Sequence, residues 1–242
     1  MSSRNSAAEN ELLTRDWRNL AAIIDHTNLR PEATPAQIIR LCEEAREFGF
    51  GAVMVNAYHV ALCYSRLRDS NVKVGTVAGF PLGATLTSVK RFEAAEALKL
   101  GAREIDMVMN IGELKAGNRE AVAADIQAVA ETVHAEKALL KVILETHLLT
   151  DAEKLLACEI SEKAGADFVK TSTGFLGGVA TLEDVRLMRR AVKIGVKASG
   201  GIRTASEAKA MIEAGANRLG TISGVNIIRE LRNEPERKES AG

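Results

Sequence analysis

One dipeptide, Gly-Ala, recurs at Gly51-Ala52, Gly101-Ala102, Gly165-Ala166 and Gly215-Ala216. Each copy follows a stretch of helical periodicity and precedes a short apolar run. Glycine suits the left-handed residue that closes a helix, and alanine is small enough for a tight entry into a strand. The intervals are 50, 64 and 50 residues, too long for one strand–helix unit and right for two. Four copies therefore imply eight units. Eight alternating strands and helices in 242 residues is the size of a (β/α)8 TIM barrel. The strands read as continuous apolar runs, as parallel strands covered on both faces should. An open doubly wound sheet is the structural alternative. It is disfavoured because no GxGxxG follows the first strand and because the repeat count fits closure.

The expected organisation is a single barrel over residues 9–233, with a disordered polar start (1–8) and a frayed tail (234–242). A short helix is expected over about 9–19, and residues 20–25 read as the first strand. Thr34-Pro35 opens a helix as N-cap and first helical residue. Thr150-Asp151 caps another, and Thr204 or Ser206 a third.

Composition excludes more than it proposes. There are 32 basic and 32 acidic residues, so no net field favours nucleic acid or an anionic membrane. Cys42, Cys63 and Cys158 are far apart and odd in number, which argues against a disulfide framework and a cysteine zinc site. The four histidines show no HExxH spacing. No metal and no organic cofactor is expected. The first residues lack the apolar core of a secretory signal. No apolar run approaches the ~18–20 residues of a membrane helix. A cytoplasmic protein acting on a small molecule is expected.

Two lysines end apolar runs and open into small-residue loops: Phe168-Val169-Lys170-Thr171-Ser172-Thr173-Gly174 and Gly195-Val196-Lys197-Ala198-Ser199-Gly200-Gly201. Burial disfavours a charged amine, and a neighbouring cation depresses its pKa further, one route to a nucleophilic lysine. Singly, each could be a snorkelling lysine at a strand end. In a barrel the polar residues at the C-terminal ends of strands are the candidates for chemistry. Here they are Asp25, Asn56, Asp106, Asn110, Glu145, Lys170 and Lys197. Asp106 interrupts an apolar run, and a carboxylate inside a barrel needs a cationic partner. Lys170 and Lys197 are the natural partners. Ser199-Gly200-Gly201 and Gly220-Thr221-Ile222-Ser223-Gly224 follow strands 7 and 8, the usual place for a phosphate in this fold. Gly174 adds a further candidate. The set describes a metal-free Schiff-base enzyme acting on a sugar phosphate.

The stretches IDHTNLRPEAT (24–34), VAGFPLGAT (77–85), EIDMVMNIGELKAG (104–117), DFVKTSTGF (167–175), VKASGGIRT (196–204) and RLGTISG (218–224) resemble the deoxyribose-phosphate aldolases across about residues 20–230. The resemblance implies a class I aldolase on a (β/α)8 barrel. Such an enzyme reversibly cleaves 2-deoxy-D-ribose 5-phosphate to glyceraldehyde 3-phosphate and acetaldehyde, a step in deoxyribose phosphate catabolism. It implies Lys170 as the Schiff-base lysine, Lys197 as the lysine that perturbs it, and Asp106 as the proton relay with a water and Lys197. Thr171, Gly174, Gly200, Gly201, Gly220 and Ser223 fall at substrate and phosphate positions, with Asp25 and Asn56 in support. A homodimer is expected by analogy. The chain departs from the family pattern at Ile222 (usually serine), Met54 (commonly cysteine), Ala57 (commonly proline) and residues 176–179. The alternatives are another Schiff-base aldolase, transaldolase-like or keto-acid-cleaving, and a sugar-phosphate-binding barrel without catalysis.

Overall fold

The computed structural model describes Leu13 and residues 16–232. The start expected to be disordered, the tail, and most of the helix expected over 9–19 lie outside the described residues. Among those described, eight parallel strands close in sequence order, with β8 pairing back onto β1. They are β1 (Ile24–Asn28), β2 (Ala52–Val55), β3 (Lys73–Ala78), β4 (Glu104–Val108), β5 (Leu139–Ile143), β6 (Phe168–Lys170), β7 (Gly195–Ser199) and β8 (Arg218–Thr221). The helices between and around them are α1 (Trp17–Ala21), α2 (Pro35–Phe48), α3 (Val60–Leu67), α4 (Thr87–Lys99), α5 (Ile111–Lys115), α6 (Arg119–Ala135), α7 (Asp151–Lys163), α8 (Leu182–Ala191), α9 (Ala205–Glu213) and α10 (Gly224–Leu231).

The helix starts follow from local chemistry. Thr34, Thr150 and Thr204 each close a capping box, with Gln37, Glu153 and Glu207 reaching back to the cap backbone. Each box satisfies two backbone donors that a helix start leaves without partners. Asn110, a candidate strand-end polar residue, is instead the N-cap of the unexpected short helix α5, accepting from the Glu113 N–H.

The first strand begins later than the apolar run suggests. Leu20 and Ala21 belong to α1, whose first turn is capped by the Asp16 carboxylate. β1 starts at Ile24, so Asp25 is its second residue and not its end. Apolar character alone does not separate a buried helix from a buried strand.

The Gly-Ala repeat has two physical origins. Gly101, Gly165 and Gly215 take positive φ (109°, 93° and 113°) after α4, α7 and α9, as helix closure demands. At the first copy that task falls to Gly49 (φ 69°). Gly51 is glycine for space: a Cβ there would lie 2.3 Å from the Ala22 carbonyl oxygen. That carbonyl is fixed backbone leading into β1, so the clash has no flexible side chain to absorb it.

Gly51→Ala therefore should lower stability by about 1–3 kcal/mol through overpacking. In a chain of this size that corresponds to a fall of about 2–4 °C in Tm for each kcal/mol. Thermal unfolding monitored by circular dichroism reads it directly. An unchanged Tm would mean that the entry to β2 can shift away from β1.

Candidate active site

Side chains from six strands meet inside the barrel. Asp25 comes from β1, Glu104 and Asp106 from β4, Lys141 from β5, Lys170 from β6, Lys197 from β7 and Arg218 from β8. The parallel register sets Lys170 beside Lys197, Asp106 beside Lys141 and Lys197 beside Arg218. Side chains alternate along a strand, so Glu104 and Asp106 share a face. Lys170 closes its strand at the C-terminal end, whereas Glu104 and Arg218 open theirs. The charges thus form a column from the bottom of the barrel to its top.

Asp106 is the hub. Its Oδ2 accepts from Lys170 Nζ at 2.9 Å and Lys197 Nζ at 2.8 Å, and its Oδ1 from Lys141 Nζ at 2.9 Å. Lys141 also donates to Glu104 at 2.6 Å. Lys197 donates to Asp25 as well. Arg218 closes the base, with Nε on Asp25 at 2.6 Å and an Nη on Glu104 at 2.7 Å. Three carboxylates face four cationic side chains, all buried except for a small part of Arg218.

The electrostatics sort these groups. Burial alone would raise the Asp106 carboxyl; its three ammonium neighbours together outweigh burial and hold it well below the usual carboxylate range. Burial also opposes the charge on Asp25, and Arg218, Lys197 and Lys141 overcome it to lower that carboxyl. Lys141 is pushed above the ordinary lysine range: burial lowers it, but Asp106, Glu104 and Asp25 prevail. Lys170 goes the other way, down to about 8. Burial is the largest cause, Asp106 opposes it, and Lys197 and then Lys141 add to the fall. The sequence points to the neighbouring cation as the source of depression. In the structure burial comes first and Lys197 contributes behind it.

The remaining candidates divide. Gly174 (φ 80°), Gly200 (φ 103°) and Gly201 (φ 81°) sit in the loops after β6 and β7 in conformations that glycine adopts freely. Ser223 occupies the N-cap position of α10 without a side-chain capping bond. Ile222 beside it is 60% exposed, so its side chain points away from the core. Thr171 is elsewhere engaged: its hydroxyl donates to the Ser199 carbonyl and accepts from the Ser199 N–H, stitching β6 to β7. Gly220 lies within β8, not in a loop, and a Cβ there would press on Lys197 Cε at 3.0 Å. It makes room for the lysine. Asn56 stands outside the charge column and donates to the Leu29 carbonyl at 3.1 Å, bracing the loop after β1.

Lys141, Glu104 and Arg218 were missed because each looks like an ordinary charge at the start or middle of a run. Period two was the available signal, since Glu104 and Asp106 lie two apart on β4. Among the described residues no helix is long and apolar enough to cross a membrane.

Residues 20–230 match the model of the DeoC/LacD family aldolases. The chain belongs to that family. It is a carbon–carbon lyase. Among its relatives is a deoxyribose-phosphate aldolase of Thermococcus gammatolerans, 57% identical over 219 residues, covering 89% of this chain and 97% of the relative. Another, from Halalkalibacterium halodurans, is 56% identical over 220 residues and covers 90% of this chain and 98% of the relative. The structure is similar to the tetrameric deoxyribose phosphate aldolase of Aeropyrum pernix. The TM-score is 0.85 at 33% identity, over 94% of this chain and 99% of that one.

The geometry predicts how reactivity depends on pH. Lys170 attacks a carbonyl only as the neutral amine, so its rate of imine formation should rise as pH climbs through about 8. Lys197→Leu removes a cation that favours the neutral form and leaves Asp106 less compensated. Both effects raise the Lys170 pKa, so the acidic limb should move to higher pH. Rates of imine formation with acetaldehyde across about pH 6–10, roughly two units either side of the Lys170 value, give the measurement. A stationary limb would remove Lys197 as a cause and leave the depression to burial and Lys141.

Proposed function

We propose that the chain reversibly cleaves 2-deoxy-D-ribose 5-phosphate to glyceraldehyde 3-phosphate and acetaldehyde through an imine on Lys170. The observation that carries this reading is a buried lysine at the C-terminal end of β6. Its amine, whose pKa burial lowers to about 8, lies 2.9 Å from a carboxylate shared with a second lysine. In a family of aldolases, that arrangement supplies a nucleophile and a proton relay together.

The neutral Lys170 amine adds to the C1 aldehyde of the open-chain sugar and, with loss of water, gives an iminium. The C2–C3 bond then breaks. Its electron pair moves toward the iminium to form an enamine, while the C3 hydroxyl gives up its proton and becomes the aldehyde of glyceraldehyde 3-phosphate. Protonation at C2 and hydrolysis release acetaldehyde and restore the amine. Asp106, with a water and Lys197, moves these protons. The iminium is the electron sink, so the steps require no metal.

The phosphate fits the loops after β7 and β8. Gly200 and Gly201 let backbone N–H groups approach an anion, and the start of α10 offers further donors. The relatives named deoxyribose-phosphate aldolase support this substrate. Assembly into dimers or larger oligomers and a cytoplasmic location complete the proposal.

Acetaldehyde with borohydride should add an ethyl group at Lys170, located by peptide mapping, and Lys170→Ala should abolish turnover. An ethyl group on Lys197 instead would reverse the two lysines' roles.

Ile222 gives a second test. Its exposed side chain stands at the mouth of α10, where a serine could donate to a phosphate dianion and isoleucine cannot. A hydrogen bond to a charged group is worth roughly 1.5–3 kcal/mol, so Ile222→Ser should tighten phosphorylated substrate by about 10- to 100-fold at most. The ratio of kcat/KM for 2-deoxyribose 5-phosphate over 2-deoxyribose measures it. A ratio that does not move removes this side chain from the phosphate site.

A further inference from the structure

The mechanism above leaves several buried acids unused; Asp125 and Asp184 pair with Lys90 and Lys154, and Glu145 has no such lysine partner. Glu145 follows β5 and is fully buried, yet it takes no part in the charge column. Its backbone is left-handed, with φ 56° and ψ 62°, an uncommon state for a residue other than glycine, asparagine or aspartate. Such an outlier persists where the surroundings over-determine it, and these sites cluster near function.

The Glu145 carboxylate reaches under the loop that leaves β6. Oε2 accepts the Thr173 N–H at 2.9 Å. Oε1 lies 3.1 Å from His147 Nδ1, a polar contact without hydrogen-bond alignment. The same loop meets His147 again at Gly178, where a Cβ would come within 2.1 Å of Nδ1. The β5 and β6 exits are also tied through backbone: Leu144 N–H to the Lys170 carbonyl at 2.9 Å and Thr146 N–H to the Thr171 carbonyl at 3.0 Å. Glu145 Oε1, Thr146 Oγ1 and Ser172 Oγ are buried without hydrogen-bond partners, and all three sit at this junction. Buried polar atoms normally find partners, and a cluster that does not calls for a functional account.

The far end of the loop leans on the β7 exit. Ala180 N–H donates to the Gly200 carbonyl at 3.0 Å, and a Cβ on Gly201 would touch Val179 at 3.1 Å. On its outer side the loop borders a cleft of about 600 Å³ between α7 and α8, lined by His147, Gly177, Gly178 and Val179. With open space on that side, the loop is held from within, by these polar contacts and by Phe175 packed edge-on against Phe80.

We infer that Glu145 and His147 are positioning residues that seat the 173–180 loop, and through it Gly200 and Gly201, so that they determine selectivity for the phosphorylated end of the substrate. This rests on the Lys170 and phosphate reading above. The Glu145 carboxylate contacts Thr173 and His147, not the charge column.

The test compares Glu145→Ala, Glu145→Gln and His147→Ala. Each is assayed for ethyl trapping at Lys170 with acetaldehyde and for turnover of 2-deoxyribose 5-phosphate and 2-deoxyribose. Glu145→Ala should raise KM for the phosphorylated sugar by about 10- to 100-fold, the scale of a lost charge-assisted hydrogen bond. Its kcat/KM ratio over the plain sugar should fall to match, with trapping at Lys170 retained. Glu145→Gln keeps an acceptor for Thr173 and should recover most of the ratio. His147 is partly exposed, so His147→Ala tests the same seat with little risk to folding, and its ratio should fall by a smaller factor. An unmoved ratio in a folded Glu145→Ala or in His147→Ala, or a parallel loss on both sugars, overturns the inference. Failure of wild type to trap at Lys170 is a different result, and it overturns the imine reading itself.

Discussion

The interior of this barrel is organised by one carboxylate that three lysines share. Asp106 accepts from Lys141, Lys170 and Lys197 within 2.9 Å, fully out of contact with solvent. A buried ion is costly unless its partners are well placed, so the surrounding geometry has little freedom. Gly220 has no side chain because Lys197 Cε occupies the space. Thr171 spends its hydroxyl fastening β6 to β7, which keeps the two lysines adjacent. Arg218 and Glu104 close the bottom, so that Asp25 and Lys141 are also matched. The fold and the proposed chemistry are thus fixed by the same contacts.

The barrel was legible in the sequence because its signals are local. Gly-Ala punctuation, capping threonines and apolar strands depend on near neighbours, and they recur often enough to count units. The strand entry at residues 20–25 was misread because an apolar run buried in a helix looks like one buried in a strand. The lysines of β6 and β7 and the interrupting Asp106 could be singled out, since each breaks a pattern within its own strand. Arg218, at the start of β8, breaks none, and Lys141 interrupts β5 as a lone charge whose partners lie on other strands. Their roles arise from register across the closed sheet, which pairs Asp106 with Lys141 and Lys197 with Arg218. The resemblance sets Thr171 and Gly220 at substrate positions, and the positions of Ser199 and Lys197 give each a supporting contact besides.

The top of the barrel is built differently from its interior. There the glycines of the β6 and β7 exits and the start of α10 leave backbone donors accessible, and the loops stand on one another. Phe175 packs edge-on against Phe80, with ring centroids 5.1 Å apart, linking the β6 loop to the β3 loop. Ala180 reaches the β7 exit and Glu145 holds the base. A change in one loop therefore reaches its neighbours, and residues 176–179, which depart from the family pattern, sit at the middle of this chain of contacts.

The imbalance of four cationic side chains over three carboxylates acquires a meaning under the imine proposed on Lys170. With its amine neutral, the column carries no net charge at rest. An iminium cannot shed its charge by losing a proton to solvent, so its formation leaves the column with one unit of positive charge in a medium that solvates it poorly. In the proposed cycle, cleavage of the carbon–carbon bond delivers an electron pair to that nitrogen, and the proton leaving the C3 hydroxyl takes the unit of charge into the relay of Asp106, water and Lys197. Returning that proton to C2 of the enamine puts the charge back on nitrogen, and hydrolysis releases it. The surplus charge then shuttles between nitrogen and relay, and the column is neutral only while the amine is free.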